Sequence, residues 1–228
     1  MEILFDQEEH IVIDMGTGYI KAGFSGEDLP RVVIPTVVGE RVIEVDEAQR
    51  QQMGGGEIKP KISHTFGNPA FSSRDTHQLH YPIQRGVITD WDRIEKLLEH
   101  VFRDELNLDL QKMHVLMTDS PTNPKEFKSQ LSEIMFETFK VKSMALINTA
   151  VLSLFSNGKT TGLVAECGEG HSYAVPVYEG YALPHAMHTL DIAGQDITNK
   201  LIRELQATDI KVNENHFEFV RDIKENMC

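Results

Sequence analysis

Ile13-Asp14-Met15-Gly16-Thr17-Gly18-Tyr19-Ile20-Lys21-Ala22-Gly23-Phe24 joins two short apolar runs through a Gly-x-Gly turn, and the first run ends in a carboxylate. The arrangement returns late in the chain. Residues 162–166 form an apolar run ending in Glu166, Gly168-Glu169-Gly170 is the turn, and 172–177 is the return strand. Each unit reads as a β-hairpin on a glycine turn. A strand–acid–turn–strand unit that occurs twice is an internal repeat, and it predicts two similar lobes facing one another.

The turns also carry chemistry. Glycine reaches positive φ and has no side chain in the way, so a Gly-x-Gly turn is expected to expose several backbone N–H groups to one anion. Two such concavities from two lobes would clamp a polyphosphate. Asp14 and Glu166 end the two strands, and hard cations that travel with phosphates prefer such oxygen ligands, often through water. Lys21 follows the first turn as a point charge within reach of a phosphate. Taken singly, each unit reads more readily as a plain tight turn. The repetition, with the acid in the same place, favours the phosphate reading.

Outside the hairpins, strands alternate with helices, which indicates an α/β or mixed α+β fold. Trp91, Ile94, Leu97, Leu98, Val101 and Phe102 share one helical face, capped by Thr89 or Asp90. Asn123-Pro124 with Glu126 predicts the start of a second helix, which buries Phe127, Leu131, Ile134, Met135 and Phe139. Residues 114–117 and 145–147 read as strands, and 150–155, 192–206 and 217–227 as helices. Residues 40–82 lack apolar periodicity and predict a small, poorly packed lobe with a flexible loop at Gly54-Gly55-Gly56.

Of 228 residues, 40% are hydrophobic and 25% charged, so the chain can bury a core and disorder is not the default. The formal net charge of -13 disfavours direct binding to nucleic acid and to anionic membranes. Two cysteines, Cys167 and Cys228, form no disulfide framework and suit a reducing compartment. The acidic start is unlike a secretory signal, and no apolar stretch approaches a membrane span, so a cytoplasmic location is expected.

Several stretches together resemble the actin and actin-related protein family. The first hairpin, residues 13–26, resembles its first phosphate loop. Tyr81-Pro82-Ile83-Gln84-Arg85-Gly86-Val87-Ile88-Thr89-Asp90-Trp91-Asp92 resembles a second signature, and residues 134–139 and 150–155 match further segments. The most specific is Pro176-Val177-Tyr178-Glu179-Gly180-Tyr181-Ala182-Leu183-Pro184-His185-Ala186, and residues 220–225 match as well. The resemblance runs in order over nearly the whole chain except residues 40–73.

The resemblance implies an α/β, actin-like ATPase fold of ribonuclease-H-like lobes, shared with heat-shock chaperones and sugar kinases. It implies ATP or ADP with Mg or Ca in the interlobe cleft. Carried over by position, Gly16, Thr17, Gly18, Tyr19 and Lys21 form the first phosphate loop, and Gly168, Glu169, Gly170 and His171 the second. Asp14 and Glu166 face the hydrated metal. Gly194 lies near the nucleotide, and Lys224 and Glu225 near the adenosine. Residues 1–35 and 82–156 correspond to the outer lobe core, 36–81 to a small mobile subdomain, 157–192 to part of the inner lobe core and 193–228 to the start of a fourth subdomain. Family members continue beyond Cys228, so the fold is expected to be incomplete.

The chain also departs from the family pattern. Thr149 stands where the family places a glutamine that orients the water attacking the γ-phosphate. Glu166 and Glu169 stand for aspartates, Cys167 for serine, Tyr173 for histidine and Arg85 for histidine. Phosphoryl transfer depends on positioning and electrostatics, so these changes predict nucleotide binding with weak or absent hydrolysis. Cys167 is expected to be a buried, inert thiol beside the turn. Residues 40–73 correspond to a loop that contacts the next subunit in a filament, and their divergence reads either as altered polymerisation or as surface drift. His77-x-x-His80 and His185-x-x-His188 have metal-site spacing but no further ligands.

The expected role is a structural subunit of a filament or larger assembly, with other actin-family subunits or a large multiprotein complex as partners. The location is cytoskeletal, in the cytoplasm or in a ciliary or nuclear complex. The alternatives are a conventional polymerising ATPase and, from a different class, a sugar kinase or chaperone-type ATPase.

Overall fold

The computed structural model describes residues 10–43, 61–208, 210–213 and 216–228. The glycine loop at 54–56 and the acidic start lie outside the described residues. Where the chain is described, alternation sets the strands. In β1 (His10–Met15) Ile11 and Ile13 are wholly buried, and in β2 (Tyr19–Phe24) Ile20 and Ala22 are. These two strands pair antiparallel, with Asp14 opposite Lys21. β3 (Val32–Pro35) extends β2.

Two later strands complete this first sheet. β9 (His114–Asp119) lies parallel to β1, and β10 (Ser143–Asn148) parallel to β9. The order β10-β9-β1-β2-β3 is a five-stranded mixed sheet. The parallel neighbours need crossover connections, which the helices supply.

The first crossover helix runs from Trp91 to His100 and continues as a π-turn over Val101–Glu105. Asp90 caps it by accepting a 3.0 Å hydrogen bond from the Arg93 N–H. The second runs from Lys125 to Glu133 with a π-turn over Ile134–Thr138. The expected asparagine cap is absent there. Asn123 Nδ2 donates instead to Asp119 at 3.1 Å, and Pro124 occupies the cap position. Phe102 meets Phe139 edge-on at 5.1 Å between ring centres, and both belong to the core built by Ile11, Ile13, Ile94, Leu98, Met117, Leu131 and their neighbours.

The second sheet is built on the repeated hairpin. β11 (Gly162–Cys167) pairs antiparallel with β12 (Ser172–Tyr178), which also carries β13 (Tyr181–Ala182) and β14 (His188–Leu190). A helix over Thr149–Ser156 follows β10 directly and is capped by the Asn148 side chain. Its Ala150, Val151 and Leu154 pack on Val164, Tyr173, Val175 and Val177. Two further helices, Gly194–Ala207 and Phe217–Met227, close the described chain. The first of them starts at Gly194 rather than at Ile192, which is exposed.

The described residues of the region from 40 to 82, which are 40–43 and 61–82, form more regular structure than their composition implies. β4 (Val38–Ile43) pairs on one side with β5 (Lys61–Phe66) over six residues and on the other with β6 (Gln78–His80). A short helix, Asn68–Ser72, buries Ala70 against this sheet. A Cβ on Gly39 would lie 2.5 Å from Thr65 Oγ1, so only glycine allows that approach. The Arg93 guanidinium grips Glu40 through both carboxylate oxygens, at 3.1 and 2.8 Å, and so ties the small sheet to the first crossover helix. Lys96 adds a 3.0 Å contact to His64, and His100 stacks on Phe66 at 4.8 Å. Periodicity could not reveal these ties, because they join distant segments.

Phe102 is wholly buried at the meeting point of both crossover helices. Phe102→Ala should therefore lower the unfolding free energy by about 3–5 kcal/mol. Leu29→Ala, at a 78% exposed position, should change it by less than about 0.5 kcal/mol. Urea denaturation of both variants checks the contrast.

Candidate functional site

The two hairpins meet turn to turn. A Cβ on Gly170 would fall 2.3 Å from Thr17 Oγ1, and one on Gly18 would fall 3.0 Å from Glu169 Cβ. None of Gly16, Gly18, Gly168 and Gly170 takes a left-handed φ, contrary to the sequence expectation. Gly16, Gly18 and Gly170 serve close approach, not an unusual backbone, while Gly168 has ordinary room. Within each hairpin the same bond closes the turn: Gly16 N–H donates to Tyr19 O, and Gly168 N–H to His171 O, both at 3.0 Å. Among the described residues, the backbone N–H groups of Thr17, Gly18, Glu169 and Gly170 find no acceptor within the protein.

Side chains from other strands fix the first turn. Thr36 is buried, donates through its hydroxyl to Gly16 O at 2.8 Å and through its N–H to Gly18 O at 3.0 Å. Thr17 Oγ1 accepts from the Gly86 N–H at 2.9 Å. Gly86 has φ 79 and the preceding Arg85 φ 52, so this turn needs a left-handed backbone. The second turn is held by the helix start behind it, where Gly194 N–H donates to Gly168 O at 2.9 Å.

A cavity of about 480 Å³ lies between the hairpins. It is lined by Asp14, Gly16, Thr17, Gly18, Tyr19, Lys21, Thr149, Glu166, Gly168, Glu169, Gly170 and His171, so twelve of the residues singled out in the sequence come together. Gly194, Lys224 and Glu225 do not line it. Lys224 Nζ instead donates to Thr198 Oγ1 at 2.9 Å and to Gly194 O at 3.1 Å, and lies 3.8 Å from Glu169. Glu225 is exposed on the last helix. A second cavity of about 670 Å³ adjoins the first, sharing Thr17, Gly18, Ile83 and Glu169.

Charge inside the smaller cavity is mostly negative. Asp14, Glu166 and Glu169 face one lysine, Lys21, which lies 3.4 Å from Asp14. Burial raises the Glu169 carboxyl above its ordinary range, against the pull of Lys224 and Arg221. His171 lies between the two halves: its ring stacks on Tyr173 at 5.2 Å, and its Nε2 is 3.1 Å from Ser120 Oγ. Burial lowers its pKa, partly opposed by Glu166, so the ring is neutral at neutral pH.

The two acids differ in their surroundings. Asp14 Oδ1 accepts from Thr118 Oγ1 at 2.9 Å. Glu166 accepts from Ser153 through one oxygen and from Tyr173 through the other, and Tyr173 is 2.6 Å from Thr149 Oγ1. Burial, and then the Glu166 carboxylate, raise the Tyr173 phenol well above its usual range. Cys167 is exposed rather than buried, because it sits at the strand end on the open side of the hairpin; its sulfur accepts from Ser172 at 3.1 Å. The oxygen donors suit a hard cation that keeps some of its waters. Among the described residues, no group of three His, Cys, Asp or Glu is placed to cage a bare metal ion. His80 lies 3.6 Å from Glu40, while His77 bonds Thr76.

Contacts that the sequence did not reveal also bridge the halves, among them one made by Arg85, which it had marked only as a departure from the family pattern. Arg85, on the turn between β7 (Ile83–Gln84) and β8 (Val87–Ile88), grips Asp196 at 2.6 and 2.7 Å. Asp196 also accepts from the Ala193 N–H and so caps the helix that starts at Gly194. Arg221 is buried, lies 4.9 Å over the Tyr19 ring and pairs with Glu218 at 2.6 Å, while Tyr81 donates to Glu218 at 3.3 Å. No helix among the described residues is long and apolar enough to cross a membrane.

A family profile described as Actin matches residues 5–227. Centractin of Saccharomyces cerevisiae is 38% identical over 221 residues, which covers 96% of this chain and 55% of that protein. The chain thus spans about half the length of this curated relative.

Two outcomes follow from this geometry. Gly170→Ala drives a methyl group into Thr17, whereas the nearest atom to a Cβ on Gly168 is 3.5 Å away. Gly170→Ala should cost about 1–3 kcal/mol of stability and Gly168→Ala clearly less, as read from denaturant midpoints. The second concerns pH. The unfolded chain protonates His171 near its ordinary 6.5 while the folded chain resists, so stability falls as pH drops through that value toward the lower folded pKa. The fall in melting temperature from neutral to mildly acid pH should be shallower in His171→Gln.

Proposed function

Since this chain belongs to the actin family, we propose that the cavity between its hairpins holds the phosphates of ATP or ADP, together with Mg or Ca. The observation that supports this most directly is the set of unpartnered N–H groups at Thr17, Gly18, Glu169 and Gly170, gathered around one cavity. Such groups are costly to leave unpaired, and phosphate oxygens satisfy them at once. Lys21 adds a positive charge. The three acids in the cavity would repel a bare polyphosphate, so a divalent cation is needed beside it, and Asp14 is the acid with room to face that cation's water shell. The nucleotide would supply the ligand that joins the two hairpins across the cavity. Gly194 lies directly behind the second turn, and Lys224 and Glu225 extend the site toward the nucleoside.

Hydrolysis in this reading is weak or absent. Orienting a water for attack on the terminal phosphate needs a free polar group at the right distance. Thr149 is short, and its hydroxyl is committed to Tyr173 at 2.6 Å. The protein would then use nucleotide as a structural ligand, in a cytoskeletal filament or a larger assembly of actin-related subunits. Residues 1–35 with 82–156 and residues 157–192 form the two lobe cores in this proposal, with 36–81 and 193–228 as the smaller subdomains.

Phosphate release from ATP by the whole protein tests the functional reading. The expected result is saturable nucleotide binding with release no faster than the uncatalysed background. Release at the rate of a polymerising actin would contradict it.

A further inference from the structure

The two hairpins are alike in register, and this makes one difference between them informative. In the first, Asp14 stands directly opposite Lys21; in the second, Glu166 stands directly opposite Tyr173. Residues directly opposite in an antiparallel pair point to the same face, so each acid meets its cross-strand partner by construction. The partner differs in chemistry. Lys21 stays half exposed and 3.4 Å from Asp14, a loose charge pair at the cavity wall. Tyr173 is buried and delivers its hydroxyl to Glu166, while Ser153 from the neighbouring helix delivers a second hydroxyl to the other oxygen.

Hydroxyl donors on both oxygens spread the carboxylate's negative charge and use its outward lone pairs. With a hydroxyl committed to each of its oxygens, Glu166 offers a hydrated cation less than Asp14 does. Among the described residues Asp14 has one hydroxyl partner, Thr118, at 2.9 Å, and its other oxygen pairs with the half-exposed Lys21 at 3.4 Å. The extra methylene of Glu166 is what lets its carboxylate reach Ser153 on the helix, and the chain continues through Tyr173 to Thr149.

We infer that the cation beside the nucleotide is held through Asp14 alone, and that Glu166 is a positioning residue that anchors Tyr173 and, through it, Thr149. This inference rests on the nucleotide reading above. It assigns different work to two acids that occupy equivalent places in the repeat.

Equilibrium binding of a fluorescent ADP analogue to the whole protein, with magnesium and with chelator, tests it. The wild-type protein should bind more tightly with magnesium. Asp14→Asn should reduce that preference by about ten- to a hundredfold. Glu166→Gln removes one of the three repelling charges but no cation contact, so it should lower the preference far less than Asp14→Asn does, while lowering the melting temperature. The double variant Ser153→Ala with Tyr173→Phe frees the Glu166 carboxylate, so it should raise the preference, and it keeps the inference open to refutation if Glu166→Gln does not fold. Loss of the preference in Glu166→Gln to the extent seen in Asp14→Asn would overturn the inference, as would an unchanged preference in the double variant. A wild-type protein that binds the analogue equally well in chelator would overturn it too. A wild-type protein that binds no analogue under either condition would remove the nucleotide reading itself.

Discussion

Thr17 and Gly170 touch where there is no room for another atom, and the rest of the site depends on that contact. The contact brings together two turns that each carry N–H groups without acceptors. It also sets the width of the cavity and places Asp14 and Glu166 on its walls. Around it, the fold spends much of its polar pairing on keeping the halves in place: Arg85 with Asp196, Tyr81 with Glu218, Arg221 with Tyr19, and His171 with Ser120. The first three cross from the first half of the chain to the second, and the last joins the turn of the second hairpin to the segment after β9. An interface tied by separate polar pairs, with little apolar burial, opens more readily than a packed core. That suits a cavity which must admit a ligand.

The repeat is close in backbone and divergent in side chains. Both hairpins close with the same bond at the same distance and present an acid at the same register. What differs is the neighbour of the acid, a lysine in one and a buried tyrosine in the other. One hairpin thereby keeps charge available at the cavity wall. The other consumes its charge in a chain of hydroxyls running from Ser153 through Glu166 and Tyr173 to Thr149. The weak hydrolysis proposed here and the separate roles of the two acids both follow from that chain. A polar network with every member bonded is rigid, and it resists the rearrangement that water activation requires.

Much of this was legible in the sequence because it depends on local signals. Two short apolar runs around a glycine turn marked β1 and β2, helical spacing marked the face of Ile94, Leu97, Leu98 and Phe102, and the repeated acid-plus-glycine unit marked the site. The reasons for the glycines were not legible. For Gly18 and Gly170 the need comes from atoms of the opposite hairpin, and for Gly16 from Tyr19 of its own, not from φ. The Arg85–Asp196 pair joins residues separated by 111 positions, and no periodicity carries such information. Thr36 and Thr118 lock the first turn from neighbouring strands, and only the sheet order reveals them. Asn123 had the composition of a cap, yet Asp119 offered it a better partner. Cys167 was expected in the interior, but it ends β11 exposed, on the lining of the cavity.

The claim on which the account rests is that nucleotide completes the contact between the hairpins. It is tested most directly by denaturing the whole protein, purified without added nucleotide, and measuring what it releases by chromatography. The account predicts close to one ATP or ADP per chain, and a higher melting temperature when nucleotide and magnesium are added back. A protein that carries no nucleotide, and whose melting temperature does not respond to ATP or ADP with magnesium, would contradict it.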